Sequence, residues 1–204
     1  MRGSDSDHYR APSGVSEGEY KEKGSKFPAY LFPVSDEDDV NDALEKVRQL
    51  HPAAQHHCYA YRLDPDSGAY RVNDDGEPSG SAGKPIYGQL LSFEVHECLI
   101  VVVRYFGGVK LGVGGLITAY KEAAKMALDA VSIEDQWLSE TFVLRYGYEN
   151  TSDVQCWLHH KEIELENPRF EASCYGSIRV PRSRSEEIET ELQGLTFVEL
   201  ISDH

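Results

Sequence analysis

No run in this 204-residue chain is long and apolar enough to cross a bilayer. The longest aliphatic stretch, Leu99–Val103, falls far short of the about 20 residues a spanning helix needs. The first seventeen residues, MRGSDSDHYRAPSGVSE, hold no apolar segment, so no secretory signal peptide is expected in them. Cysteine is sparse: Cys58, Cys98, Cys156 and Cys174 are widely spaced and no two form a C-x-x-C pair. That spacing argues against a zinc ribbon and a disulfide framework, and reduced thiols among apolar neighbours are expected. Bases are scarce too, 20 against 35 acids, for a net charge of −15. A soluble cytoplasmic protein with no membrane partner is the expectation.

The acid excess bears on partners. A strongly negative chain is a poor electrostatic match for nucleic acid, and a salt-loving source organism is one explanation of it. The charge is unevenly spread, however. From Arg104 to Lys125 the bases are Arg104, Lys110, Lys121 and Lys125, and the only acid is Glu122. This is a basic island in an acidic chain. With 40% hydrophobic residues there is material for a packed core, and the length suits one large or two modest domains.

Residues 1–18 are small, polar and charged, and are expected to form a disordered tail. A first domain is expected over 19–134 and a second over 138–204, joined by SIEDQWLS (132–139). Aromatic residues from Glu19 to Val34 suggest an extended strand. Ser35 reads as the cap of an acid-led helix with Val40, Ala43, Leu44, Val47 and Leu50 at helical spacing, closed by His51-Pro52. HHCYAYRLD (56–64) and AYRVN (69–73) form a strand pair around a turn. A helix over 86–93 follows, then a strand over 97–106, apolar on both faces and hence central. A helix over 116–131 carries alanines on its inner face.

In the second domain Phe142, Leu144, Tyr146 and Tyr148 alternate as a strand. Ser152-x-x-Gln155 and Ser183-x-x-Glu186 read as helix caps. A short strand near 163–166 stops at Asn167-Pro168, Phe170 to Val180 alternates again, and TFVELI (196–201) closes the chain. The order β-α-β-β-α-β is the ferredoxin-like arrangement, so an α+β protein is expected.

Two loops could carry chemistry. DDGEPSGSAGKP (74–85) misses the Walker pattern, because Pro78 stands where the first glycine belongs and Pro85 follows Gly83-Lys84. It is no hydrolase elbow, and GVGG lacks the third glycine of a dinucleotide fingerprint. Asp74, Asp75 and Glu77 read as a solvated bend rather than a metal site, and the His56-His57 and His159-His160 pairs face different ways on any regular element. No metal and no cofactor are expected. What remains is backbone geometry. GGVKLGVGG (107–115) places five glycines among nine residues ahead of a helix. Glycines let successive N–H groups turn into one concavity, and the first helical turn adds partial positive charge. Phosphate is thus expected at Gly107, Gly108, Gly112, Gly114 and Gly115 with Arg104 and Lys110, and at Ser79, Gly80, Ser81 and Lys84 of the other loop. The alternative is that the glycines only permit a tight strand-to-helix connection.

The strings DDGEPSGSAGKPI and VVVRYFGGVKLGVGGLITAYKEAAKMAL strongly resemble the signature of the YigZ/Impact family, over about residues 18–130. The stretch over about 138–204 resembles the small second domain of bacterial members. The resemblance implies a first domain with the β-α fold of a ribosomal-protein second domain, as in domain four of elongation factor G. It implies a ferredoxin-like second domain, as in domain five of that factor. It also implies RNA or a ribosome-associated partner and a tie to translation, whereas eukaryotic Impact proteins act as regulators through protein partners. Three readings follow: an RNA-binding accessory of translation without catalysis, a protein adaptor without nucleic acid, and an enzyme of a small phosphorylated metabolite or nucleotide. The third lacks a residue set that supplies a base and metal ligands together.

Overall fold

The structure, a computed structural model, describes residues 7–201. Two compact units divide it: Tyr9–Gln136, and residues 137–201 with residues 7 and 8. Both mix helix and sheet, and among the described residues no helix is long and apolar enough to cross a membrane.

The tail expected over 1–18 is corrected from residue 8 onward, residues 1–6 lying outside the described ones. Strand β1 (His8–Pro12) pairs with a strand at the far end of the first unit's sequence, β7 (Ile133–Trp137), and the Ser13 N–H reaches the Ser132 carbonyl at 2.9 Å. A polar strand whose partner is so distant leaves no local periodicity to read. The segment expected as a joint, 132–139, holds β7, and the boundary between the two units, at Gln136/Trp137, falls inside it. Likewise the single strand expected from Glu19 to Val34 is a hairpin. β2 (Ser16–Glu22) and β3 (Ser25–Pro33) turn at Lys23-Gly24, both at positive φ.

Helix α1 (Glu37–Leu50) is capped by Asp36, one place after Ser35, with the Asp39 N–H donating to Asp36 Oδ1 at 2.8 Å. Its Val40, Ala43, Leu44 and Val47 are buried, whereas Leu50 is exposed. There follow β4 (His56–Arg62), β5 (Tyr70–Asn73), α2 (Gly83–Ser92), β6 (Cys98–Arg104) and α3 (Gly112–Asp129). Both α2 and α3 begin inside the glycine-bearing loops, earlier than expected. The sheet order is β2-β3-β6-β4-β5, with every neighbouring pair antiparallel.

β6 is therefore central, and its residues from Cys98 to Val103 are buried on both faces. Leu99, Val101 and Val103 pack towards α1. Cys98, Ile100 and Val102 pack towards α2 and α3, as strand alternation requires. The alanine face of α3 lies so close to β2 that a Cβ on Gly18 would sit 2.7 Å from the Ala127 nitrogen.

The second unit runs β8 (Ser139–Tyr146), α4 (Thr151–Lys161), β9 (Glu166–Phe170), β10 (Cys174–Pro181), α5 (Arg182–Gly194), β11 (Val198–Ile201). Its sheet order is β11-β8-β10-β9, again all antiparallel. Val154, Leu158, Ile188 and Leu192 of the helices pack on Leu144, Tyr146, Ile178 and Val180, so both helices cover one face. Neither expected capping box forms. No side chain caps α4, and Tyr148 belongs to a 3-10 turn before it. At α5 the Ser183 N–H donates to Asp7 Oδ2 at 2.6 Å, and the Ser183 hydroxyl together with this N–H holds the Asp7 carboxyl below its ordinary pKa. β9 runs through Asn167-Pro168 instead of stopping there, because an edge strand tolerates proline.

Candidate anion-binding site

Sheet direction gathers the site. β4 is antiparallel to both β5 and β6, so these two run parallel and their following loops, 74–82 and 105–111, leave from one end of the sheet. β3 is antiparallel to β6, which brings the Lys23-Gly24 turn to the same end. The start of β4 lies there too, with His56 opposite Arg104.

The first loop already holds an anion of its own. Asp74 Oδ1 accepts the N–H groups of Ala82 (3.0 Å) and Gly83 (2.8 Å), and Oδ2 accepts that of Gly80 (2.7 Å). Burial opposes charge on this carboxyl, but the Gly80, Gly83 and Ala82 amides and nearby Lys84 outweigh it and hold the pKa below the ordinary value. The nest is real and an internal carboxylate fills it. Ser81 is fully buried, its hydroxyl donating to the Pro78 carbonyl at 2.6 Å. The expected phosphate contacts at Gly80 and Ser81 are therefore corrected: those groups hold the loop. Ser79 and Lys84 stay exposed.

The remaining two acids of the loop are also engaged. Asp75 accepts the His57 N–H at 2.6 Å. Glu77 Oε1 accepts from Arg104 Nη1 at 2.6 Å and from the Tyr120 hydroxyl at 2.9 Å. The Glu77 side chain is 3% exposed and that of Arg104 11%. The Cys58 thiol lies 3.0 Å from the Asp74 carbonyl and 3.4 Å from the Tyr120 oxygen, and burial pushes it up to about 12. Burial likewise raises the Tyr120 phenol, which stays a neutral donor. Arg104 is thus a clamp between β6 and the first loop, not a free phosphate ligand. Its guanidinium also stands 5.8 Å from the Phe27 ring centroid and 5.7 Å from that of Phe106.

The second loop divides its glycines by task. A Cβ on Gly107 would lie 2.0 Å from the Gly24 carbonyl carbon, and the Gly107 N–H donates to Ser25 Oγ at 3.1 Å. Gly107 is a packing glycine, and its amide is taken. Gly108 and Gly112 adopt positive φ (87° and 72°), which lets the chain turn into α3. Gly114 faces open space. No side chain caps α3, and Gly112, Val113 and Gly114 of its first turn are exposed. Those N–H groups, with Lys110 beside them, are available to an external anion.

Of the expected set, Gly108, Lys110, Gly112, Gly114 and Gly115 thus gather at the start of α3. Lys84 stands at the start of α2. Among the described residues neither Lys84 nor Lys110 is in an ion pair. Lys23 was not anticipated: with Glu22, Leu111 and Gly115 it lines a hollow of about 200 Å³ beside α3. A second cleft, of about 230 Å³, is lined by Gln55, His56, Arg104, Phe106 and Lys110. Neither Gln55 nor Phe106 stands out in the sequence, because their placement depends on the β4–β6 register. Among the described residues no three His, Cys, Asp or Glu side chains converge as a metal site.

The fold and this end of the sheet define a two-unit α/β protein with an uncapped, glycine-built helix start flanked by lysines. A family model of the Impact N-terminal domain matches residues 23–128, and the chain belongs to the IMPACT family. An IMPACT family member of Haemophilus influenzae is 31% identical over 186 residues, 90% of this chain and 90% of that protein. IMPACT family member YigZ of Escherichia coli is 31% identical over 172 residues, covering 83% of this chain and 84% of that one. Among solved structures, a crystal structure of a hypothetical protein is similar at a TM-score of 0.69 and 28% identity, covering 97% of this chain and 98% of that chain.

Proposed function

We propose that this chain is a non-catalytic accessory or regulator of translation that binds RNA through phosphate contacts at the start of α3. The observation that carries the reading is the exposed, uncapped first turn of α3 with Lys110 beside it. Backbone amides and a lysine at a helix start suit a phosphate oxygen and read no base. Lys84 adds a second cation, while the first loop otherwise serves as scaffold. Membership of the family implies units folded like domains four and five of elongation factor G, and on that implication an RNA partner in the ribosomal setting is the favoured one.

Lys84→Glu with Lys110→Glu tests the reading. Each change removes a charge-assisted contact of about 1.5–3 kcal/mol, so affinity for single-stranded RNA is expected to fall at least about tenfold. An unchanged affinity would remove the site. A protein adaptor is the second reading, favoured by the net charge of −15 and by exposed Val109, Val113 and Ile117 around the same turn. Partners recovered equally with and without nuclease would select it. A small-molecule phosphate enzyme has the least support, since the buried Cys58, Tyr120 and Glu77 are held in a closed network.

A further inference from the structure

The cleft of about 230 Å³ beside the α3 start has a chemistry that phosphate binding alone does not need. It is smaller than the roughly 300–1,000 Å³ of whole-cofactor sites, so it suits a fragment. Its one aromatic wall, Phe106, is 54% exposed and belongs to none of the unit's apolar clusters. The Arg104 guanidinium beside that ring is itself fastened to Glu77, so the ring's neighbour is a fixed plane, not a mobile side chain.

Hydrogen-bonding groups stand opposite in kind. His56 Nδ1 lies 2.7 Å from the Asp75 carbonyl, which can only accept. Nδ1 therefore carries a proton, and in the neutral ring Nε2 is left as an acceptor. The Gln55 amide offers both a donor and an acceptor, and among the described residues it makes no hydrogen bond. Lys110 brings a positive charge to the same cleft. A flat apolar face, mixed donors and acceptors, and a cation within one small hollow match the three parts of a nucleotide: base face, base edge and phosphate.

We infer that this cleft receives one unstacked nucleobase, with Phe106 against its face, Gln55 and His56 at its edge, and its phosphate towards Lys110 and the α3 start. The inference rests on the anion reading above and adds the class of ligand: a nucleoside monophosphate unit, free or as one link of a single strand.

The test compares a short oligouridylate or oligoadenylate with the same oligomer carrying abasic ribose, by fluorescence anisotropy on the whole chain. Stacking of one base on an aromatic side chain is worth about 1–3 kcal/mol, so the base-bearing oligomer should bind roughly 5- to 150-fold more tightly. Phe106→Ala should lower its affinity to that of the abasic oligomer, and Phe106→Tyr should restore it. Displacement of the oligomer by uridine or adenosine monophosphate assigns the free nucleotide as source, and no displacement assigns the strand; either supports the pocket. Equal binding of base-bearing and abasic oligomers overturns the inference and leaves the anion reading standing. Failure of both oligomers to bind overturns both.

Discussion

Asp74 decides how the first loop is read. A glycine-serine turn with free N–H groups would invite a phosphate, but one carboxylate that accepts three of them has taken the place. Asp74→Ala should cost about 2–3 kcal/mol, because three donors lose a charged acceptor, and urea unfolding would measure it. The pH dependence has a definite sign. A carboxyl held below its ordinary 3.8 contributes stability that is complete above that value and lost as the pH falls through the lower folded value. Wild-type protein should therefore lose more stability than Asp74→Asn on acidification below about pH 4. Equal losses would remove Asp74 as the loop's anchor.

The neighbouring pair behaves as a buried bridge. Removing one partner, as in Glu77→Ala, should cost about 3–5 kcal/mol, because Arg104 and Tyr120 are left without their acceptor. Arg104→Glu would set two carboxyls together in the same place and should destabilise at least as much. Loss of RNA binding in that variant would thus report on folding. Lys110 and Lys84, both exposed, are the residues whose exchange tests binding without that ambiguity.

At the scale of the element, α3 and the loop that leads into it contrast two glycines that look alike in the sequence. Gly107→Ala drives a Cβ into the Gly24-Ser25 backbone and should cost about 3 kcal/mol. Gly114→Ala meets open space inside a helix and should stabilise by up to about 1 kcal/mol. Gly114→Glu should also keep or raise the melting temperature, since an acid in the first turn favours the helix dipole, yet it should weaken RNA binding by repelling phosphate. A variant more stable and less able to bind separates the two roles of this turn. If Gly114→Glu binds RNA as tightly as Gly114→Ala, the α3 start is not the contact.

Elements with strong periodicity were legible in advance. β6 reads as central because it is apolar on both faces, and α1, α3 and α5 show their buried stripes. Features that depend on distant partners were not. β1 looks like tail because its ladder partner is β7, and Ser183 looks like a cap although Asp7 supplies the acceptor. At the site, the glycine-rich turn and the two lysines could be read locally. The filling of the first nest by Asp74, the Glu77–Arg104 clamp and the placing of Phe106 could not, since each depends on sheet register.

For the whole molecule, a net charge of −15 and an RNA partner are compatible only if the contact is local. The exposed Lys84 and Lys110 supply that locality, because Glu77 takes Arg104 and Asp129 takes Lys125. Contacts should be few, about two to four phosphates, and binding correspondingly salt-sensitive but shallow. The most direct measurement is a salt titration of single-stranded RNA binding. At about 0.7 per phosphate, the slope of log affinity against log salt should lie between roughly −1.4 and −2.8 and flatten by about 0.7 in Lys110→Glu. A slope near zero, or one that Lys110→Glu leaves unchanged, would contradict the account.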